Sequence, residues 1–299
     1  MSSPHGHRMK WCESTGCGCK INLRLKVTGR RPDGMHDLSS CFLFFAEPGD
    51  VLTVAGEQES MTLECPGFPD LANEKNLVWR AAEAFAAAAG IVPQWKIVLE
   101  KKVPLAAGLG GGSADAGALL KVLNGRYQIF DDRQLSEIGF SLGADVPFFL
   151  HRRAAWITGA GENCRMLEKL PPIPHILIVN PGFPVSAKWA YTHLSPELIG
   201  PDDPEMEKAF VSGRCSWRQF CINDLAPAVF RKFPLLEMLR DELYCNGAQL
   251  VQMSGSGPSL FALFEENAEE CAGKIREKFA GMDGLRVFCP PAVQFLEKE

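Results

Sequence analysis

The segment Val103-Pro104-Leu105-Ala106-Ala107-Gly108-Leu109-Gly110-Gly111-Gly112-Ser113-Ala114 constrains this chain more than any other. Four glycines within Gly108–Gly112 remove the side chains that would hold a polyanion away from the backbone, and successive N–H groups can then converge on one ligand. The small, apolar stretch Ala114–Leu123 that follows is expected to be a helix. A helix start adds unpaired N–H groups and a partial positive charge. Ser113 can donate to a phosphate oxygen or bind a metal. The loop is therefore expected to hold phosphate, the plainer alternative being a flexible turn with a helix cap.

Spacing excludes the two commonest glycine loops. A Walker A loop needs lysine before its Ser or Thr, and here Gly112 runs directly into Ser113. A dinucleotide fingerprint needs a third glycine where Ser113 stands.

The chain of 299 residues carries a formal charge of −5, which offers no bulk attraction for nucleic acid or an anionic membrane. No apolar run approaches the length of a bilayer span, and Met1–Lys10 lacks the apolar centre of a signal peptide, so a cytoplasmic protein is expected. Eleven scattered cysteines, an odd number, read as reduced thiols. Cys12, Cys17 and Cys19 lie near His5 and His7, but Cys17-Gly18-Cys19 lacks zinc-site spacing, and no protein metal site is expected.

Ile21, Leu23, Leu25 and Val27 alternate with polar residues, the pattern of a half-buried strand over Lys20–Val27. Further strands are expected at Cys41–Phe45, Val51–Val54, Gln94–Leu99, His175–Asn180, Ala248–Met253, Leu260–Phe264 and Leu285–Phe288. Helices are expected at Asn73–Ala89, capped by Asn73 or Asn76, and at Asp131–Leu142, Pro234–Cys245 and Asn267–Phe279. Gly143–Pro147 reads as a turn, and Ser254–Ser259 as a small-residue loop. Strands and helices mix without strict alternation, which favours α+β. Prolines at 171, 172 and 174 place a boundary near 160–172, dividing the chain into 1–165 and 166–299.

Pro104–Ala114 resembles the second motif of the GHMP kinases, and Met253-Ser254-Gly255-Ser256-Gly257-Pro258 resembles their third. Lys20-Ile21-Asn22-Leu23, then Gly29-Arg30-Arg31-Pro32-Asp33-Gly34 and His36, are similar to the opening of the branch acting on a cytidine diphosphate-linked methylerythritol. So are Gly143–Phe149 and the stretch from Pro181 through Val185 and Ser186 to Tyr191. The resemblance implies a two-domain α+β GHMP-kinase-like fold with the active site in the interdomain cleft and a left-handed βαβ crossover. It implies an N-terminal ATP-binding domain and a C-terminal GHMP-type domain. The implied reaction is ATP-dependent phosphorylation of the substrate's 2-hydroxyl, in the non-mevalonate isoprenoid pathway. Mg²⁺ is expected with ATP, and the protein is expected to be a monomer or homodimer. Alternatives are a GHMP kinase for homoserine, mevalonate or a sugar, or a silent nucleotide- or sugar-binding sensor of the same fold.

The resemblance also implies roles. Asp145 is the candidate base for the attacking hydroxyl, against a plain turn role, and Lys20 the candidate cation beside it, against a solvated strand-end lysine. Pro104, Leu105, Ala106, Ala107, Gly108, Leu109, Gly110, Gly111, Gly112, Ser113 and Ala114 are expected to take ATP. Asn22, Met35, His36 and Tyr191 are expected to bind the second substrate, with Asn76 and Leu77 bordering the adenine. Met35 stands where the family usually has tyrosine, and Ala187 where it often has Ser or Thr.

Overall fold

The computed structural model describes residues 11–56 and 58–291; His5 and His7 lie outside them. In chain order the first elements are strands β1 (Cys12–Gly16), β2 (Cys19–Arg30), β3 (His36–Phe45), β4 (Val51–Ala55) and β5 (Thr62–Glu64). Helix α1 (Leu77–Ala89), strand β6 (Lys96–Glu100) and helices α2 (Gly111–Tyr127), α3 (Asp132–Leu142) and α4 (Val146–His151) follow. Next come β7 (Ala155–Gly159), β8 (Asn163–Met166), β9 (His175–Asn180), α5 (Ala187–Thr192), α6 (Met206–Val211) and α7 (Trp217–Phe220). The chain ends with α8 (Ala226–Lys232), α9 (Leu235–Cys245), β10 (Leu250–Met253), β11 (Leu260–Phe264), α10 (Ala268–Lys278) and β12 (Arg286–Phe288). No described helix is long and apolar enough to cross a membrane.

Two compact units form, and each gathers separated stretches of chain. Unit 1 takes the described residues up to Cys17 with Gly49–Lys102 and Gly112–Leu150; unit 2 takes Gly18–Pro48, Val103–Gly111 and the chain from His151 on. These units are not the contiguous segments 1–165 and 166–299. The reason is strand pairing: β3 bonds β7, so the β2–β3 hairpin clusters with later chain.

Unit 1 has one sheet, ordered β1-β4-β6-β5, in which only β5 and β6 pair in parallel, joined through α1. Helix α1 buries Val78, Ala81, Ala82, Phe85 and Ala86, spaced for one face of a 3.6-residue period. Phe85, Trp95 and Tyr127 meet in edge or tilted ring contacts, with Trp95 Nε1 donating to the Tyr127 hydroxyl at 3.1 Å.

Unit 2 has two antiparallel sheets, β2-β3-β7-β8 and β10-β11-β9-β12. Ile21, Leu23, Cys41 and Leu43 of the first share a core with Ile176, Ile178, Phe261 and Leu263 of the second. On the other side, Leu177, Val179 and Leu260 pack with Leu236 and Leu239 of α9 and Ile275 of α10. Each fully buried Leu or Ile contributes roughly 1.5–3 kcal/mol of transfer free energy.

The long periodic elements form where expected. Several boundaries differ, β3 starting at His36 and not Cys41 and β2 running on to Arg30 among them, and two of the differences touch candidate site residues. Val146 and Pro147 open helix α4 instead of closing a turn, because proline in a first turn lacks only an N–H that would have no partner there. Helix α2 starts at Gly111, ahead of the expected Ala114, so part of the glycine run is itself helical. None of the eleven cysteines forms a disulfide. Burial pushes the thiols of Cys17, Cys41 and Cys221 well up and that of Cys271 to about 11, so none of these is a thiolate at neutral pH.

Of the two cap residues expected for α1, Asn76 is the one used: its Oδ1 accepts from Val78 N at 2.9 Å, and its Nδ2 donates to Leu71 O at 2.9 Å. Asn76→Ala is expected to lower stability by about 0.5–2 kcal/mol in chemical denaturation, the usual loss for an N-cap.

Candidate active site

The alternation that drives Ile21 and Leu23 into the core turns Lys20 and Asn22 to the opposite face of β2. Both are nonetheless buried, Lys20 at 4% exposure. A solvated strand-end lysine does not look like this, because burying an ammonium is costly unless something receives it. Here Lys20 Nζ donates to Asn22 Oδ1 and lies 4.5 Å from the centroid of the Phe42 ring on β3. Asn22 Nδ2 in turn donates to Ser40 Oγ at 3.2 Å, and Ser40 Oγ donates to Arg24 O. The lysine head is thus set by a chain of side chains, each oriented by the next.

The glycine loop is bonded to this strand. Lys20 N donates to Leu109 O at 2.9 Å. Ser254 Oγ accepts from Asn22 N at 3.2 Å and donates to Gly108 O at 2.9 Å, so one hydroxyl joins the first, second and third motifs. Ser259 N donates to Ala107 O at 3.2 Å, and Val185 N to Ala106 O at 3.3 Å. Gly108 has φ +76°, and a Cβ there would fall 2.1 Å from Ser254 O, so only glycine fits. A Cβ on Gly255 would lie 3.2 Å from Asn22 Oδ1 and 3.3 Å from Lys20 Nζ, which shows how closely the third motif approaches the lysine. Pro104 and Leu105 form the outer part of the loop, with Leu105 46% exposed.

His36 and Tyr191 come together as well. Their rings stack at 5.1 Å between centroids and 26° between planes. Burial and the nearby charge of Arg30 both lower the His36 pKa, which favours a neutral imidazole with one donor and one acceptor nitrogen. Met35 is exposed beside it, its N–H bonded to Asp33 Oδ1 at 2.9 Å. Tyr191 sits in α5, whose N-terminus is capped by Ser186 Oγ accepting from Trp189 N at 3.3 Å.

Gly112, Ser113, Ala114 and Asp145 belong to unit 1. The first three lie in the opening turn of α2. Asp145 directly precedes α4, whose residues from Val146 to Leu150 are all buried, and Lys121 Nζ of α2 donates to Leu150 O at 2.9 Å. Asp145 is therefore held at the start of a short, firmly packed helix.

Sequence reasoning missed two residues that build this site. Asn223 is buried, donates from Nδ2 to Met253 O and Gly255 O at 2.8 Å each, and accepts from Leu225 N at 2.9 Å. It shapes the third motif from outside it, and its partners are backbone atoms that carry no residue signature. Ser254 lay inside a recognised motif, but only the fold gives its hydroxyl two partners. Among the described residues no group of three His, Cys, Asp or Glu side chains is arranged to hold a metal ion.

Comparisons with known proteins show the family. The GHMP kinases N terminal domain matches residues 76–153, and the GHMP kinases C terminal family matches residues 207–281. The 4-diphosphocytidyl-2-C-methyl-D-erythritol kinase of Syntrophotalea carbinolica is 35% identical, covering 92% of this chain and 97% of its own length. That of Geobacter sulfurreducens is 37% identical, covering 86% and 91%. A crystal structure of 4-(cytidine 5'-diphospho)-2C-methyl-D-erythritol kinase superposes with a TM-score of 0.74 at 35% identity, over 92% of this chain and 98% of that one. A homoserine kinase from Cytophaga hutchinsonii shares the fold alone, with a TM-score of 0.73 at 17% identity. The fold is thus α+β with N- and C-terminal GHMP domains, and the chain belongs to the GHMP kinases, within the 4-diphosphocytidyl-2-C-methyl-D-erythritol kinase family.

Proposed function

We propose that this chain transfers the γ-phosphoryl group of ATP to the 2-hydroxyl of 4-diphosphocytidyl-2-C-methyl-D-erythritol. The observation that carries the reading is near-full-length identity of about a third to enzymes named for that reaction. Phosphoryl transfer asks a protein mainly to position groups and stabilise charge. The glycine loop and the start of α2 offer backbone N–H groups for the triphosphate. Mg²⁺ fits a site with few protein donors, since it keeps several waters and is held largely by phosphate oxygens, with Ser113 the hydroxyl at the helix start. When bound it neutralises phosphate charge.

Asp145 is assigned the proton of the attacking hydroxyl, and Lys20 the charge that develops on that oxygen. Supporting Lys20 are its burial and its fixed orientation on Asn22 and Phe42. Lys20→Met and Asp145→Asn are each expected to cut kcat by two or more orders of magnitude, roughly 2.7 kcal/mol or more of barrier, with melting temperature little changed. Near-normal turnover in either variant removes that assignment.

His36 and Tyr191 are assigned to the cytosine. The neutral imidazole supplies a donor and an acceptor, and the tyrosine ring a flat face. Tyr191→Ala is expected to raise KM for the cytidine substrate roughly tenfold, the size of a stacking loss of about 1–2 kcal/mol, while KM for ATP stays within twofold. Equal rises in both would assign Tyr191 to packing.

The substrate assignment is checked by ADP release with ATP and Mg²⁺ against the cytidine substrate, homoserine and mevalonate. Turnover is expected with the first only. Turnover confined to homoserine or mevalonate overturns the substrate, and ATP binding without ADP release on any of them favours a sensor.

A further inference from the structure

Unit 1 contains a buried charged cluster that the proposed mechanism does not use. Val51 of β4 pairs with Glu100 of β6, so Asp50, just before β4, lies beside Lys101, just after β6. Lys101 Nζ donates to Asp115 Oδ2 at 2.7 Å and also to Asp50, and the three side chains are 4%, 2% and 0% exposed. Asp50 Oδ1 accepts from Lys102 N, and Asp50 O accepts from Cys17 N at 2.8 Å. The thiols of Cys17 and Cys65 are the other titratable groups against the cluster, and both are pushed up by burial. Two carboxylates therefore share one cation, and Oδ1 of Asp115 has no hydrogen-bond partner.

The cluster's place in the chain gives it meaning. The chain leaves unit 1 after Lys102 and returns at Gly112; the excursion between is the glycine loop. Lys101 stands at the departure, and Asp115 stands in α2, three residues after the return at Gly112. A glycine-rich loop has many conformations, and joining its ends removes some of them. A buried ion pair is a poor way to add stability, because an apolar trio of the same volume would serve the core at least as well. It does fix direction and spacing.

We propose that Lys101, Asp50 and Asp115 form an ionic staple that joins the two stems of the glycine loop, and that the three are positioning residues for the triphosphate of ATP. This rests on the reading of the loop as the ATP-phosphate loop. Burial pulls the Lys101 ammonium down, but the two carboxylates outweigh it and hold its pKa above the usual lysine range, so the cation at the centre of the staple keeps its proton.

The test is calorimetric titration of a non-hydrolysable ATP analogue with Mg²⁺, and separately of the cytidine substrate, into wild type, Asp115→Asn, Lys101→Met and Gly110→Val. Asparagine keeps the shape of the carboxylate and removes its charge, so Asp115→Asn is expected to bind the nucleotide roughly tenfold more weakly than wild type and the cytidine substrate within twofold of it. Lys101→Met is expected to be weakened in the same way, and if it does not fold, Asp115→Asn carries the test alone. A nucleotide ratio for Asp115→Asn near one overturns the staple. So does an equal loss of affinity for the cytidine substrate, which would mean general loosening. Gly110→Val separates the two readings: loss of nucleotide with no effect of Asp115→Asn removes the staple alone, whereas full affinity in Gly110→Val removes the phosphate-loop reading beneath it.

Discussion

One hydroxyl group holds together three stretches of sequence that lie far apart. Ser254 accepts from the backbone of Asn22 and donates to the backbone of Gly108. If it is removed, a buried N–H and a buried carbonyl lose their partner, a cost of about 1–3 kcal/mol each. The unit 2 residues around Lys20 are arranged about that bond. Asn223 shapes the turn that presents Ser254, Gly108 gives up its side chain so that the turn can approach, and the odd-numbered residues of β2 anchor the strand that carries Asn22.

The hairpin β2–β3 spreads the site along its length. Lys20 pairs with Phe44 near one end, and Arg30 pairs with His36 at the other. Between them the register shifts at Asn22/Arg24 and again at Val27/Gly29. Such bulges bend a strand and raise its twist. A single secondary structure thus carries both the charged group assigned to the reaction and the imidazole assigned to base recognition. The partly buried ion pairs Arg24–Asp202 and Lys26–Asp224 hold its middle against the later chain.

Much of this was legible in the sequence, and the reasons are local. The alternation of β2, the cap and stop of α1 and the glycine run are encoded within a few residues of where they act. Pro147 misled because proline marks a turn or a helix start with equal force, and only the packing of Val146–Leu150 decides. Strands β1, β5, β7 and β8 are short and take their order from partners elsewhere in the chain, so they left no period to read. The site divides the same way. Lys20, Asn22, His36 and the loop could be named from motifs. The work of Ser254, Asn223, Asp50 and Lys101 lies in bonds to backbone or to side chains distant in sequence. No spacing rule reports such bonds.

The shared core of unit 2 has a consequence in time. Ile21, Leu23, Cys41 and Leu43 leave the ribosome more than a hundred residues ahead of those that cover them, which include Ile176, Phe220 and Phe261. At ordinary synthesis rates the hairpin waits on the order of ten seconds for its cover. Throughout that wait it presents an apolar face and open strand edges to the cell. A truncated chain ending near residue 165 would present them permanently. The nascent protein is thus a natural client for chaperones, and its two halves are unsuited to separate expression.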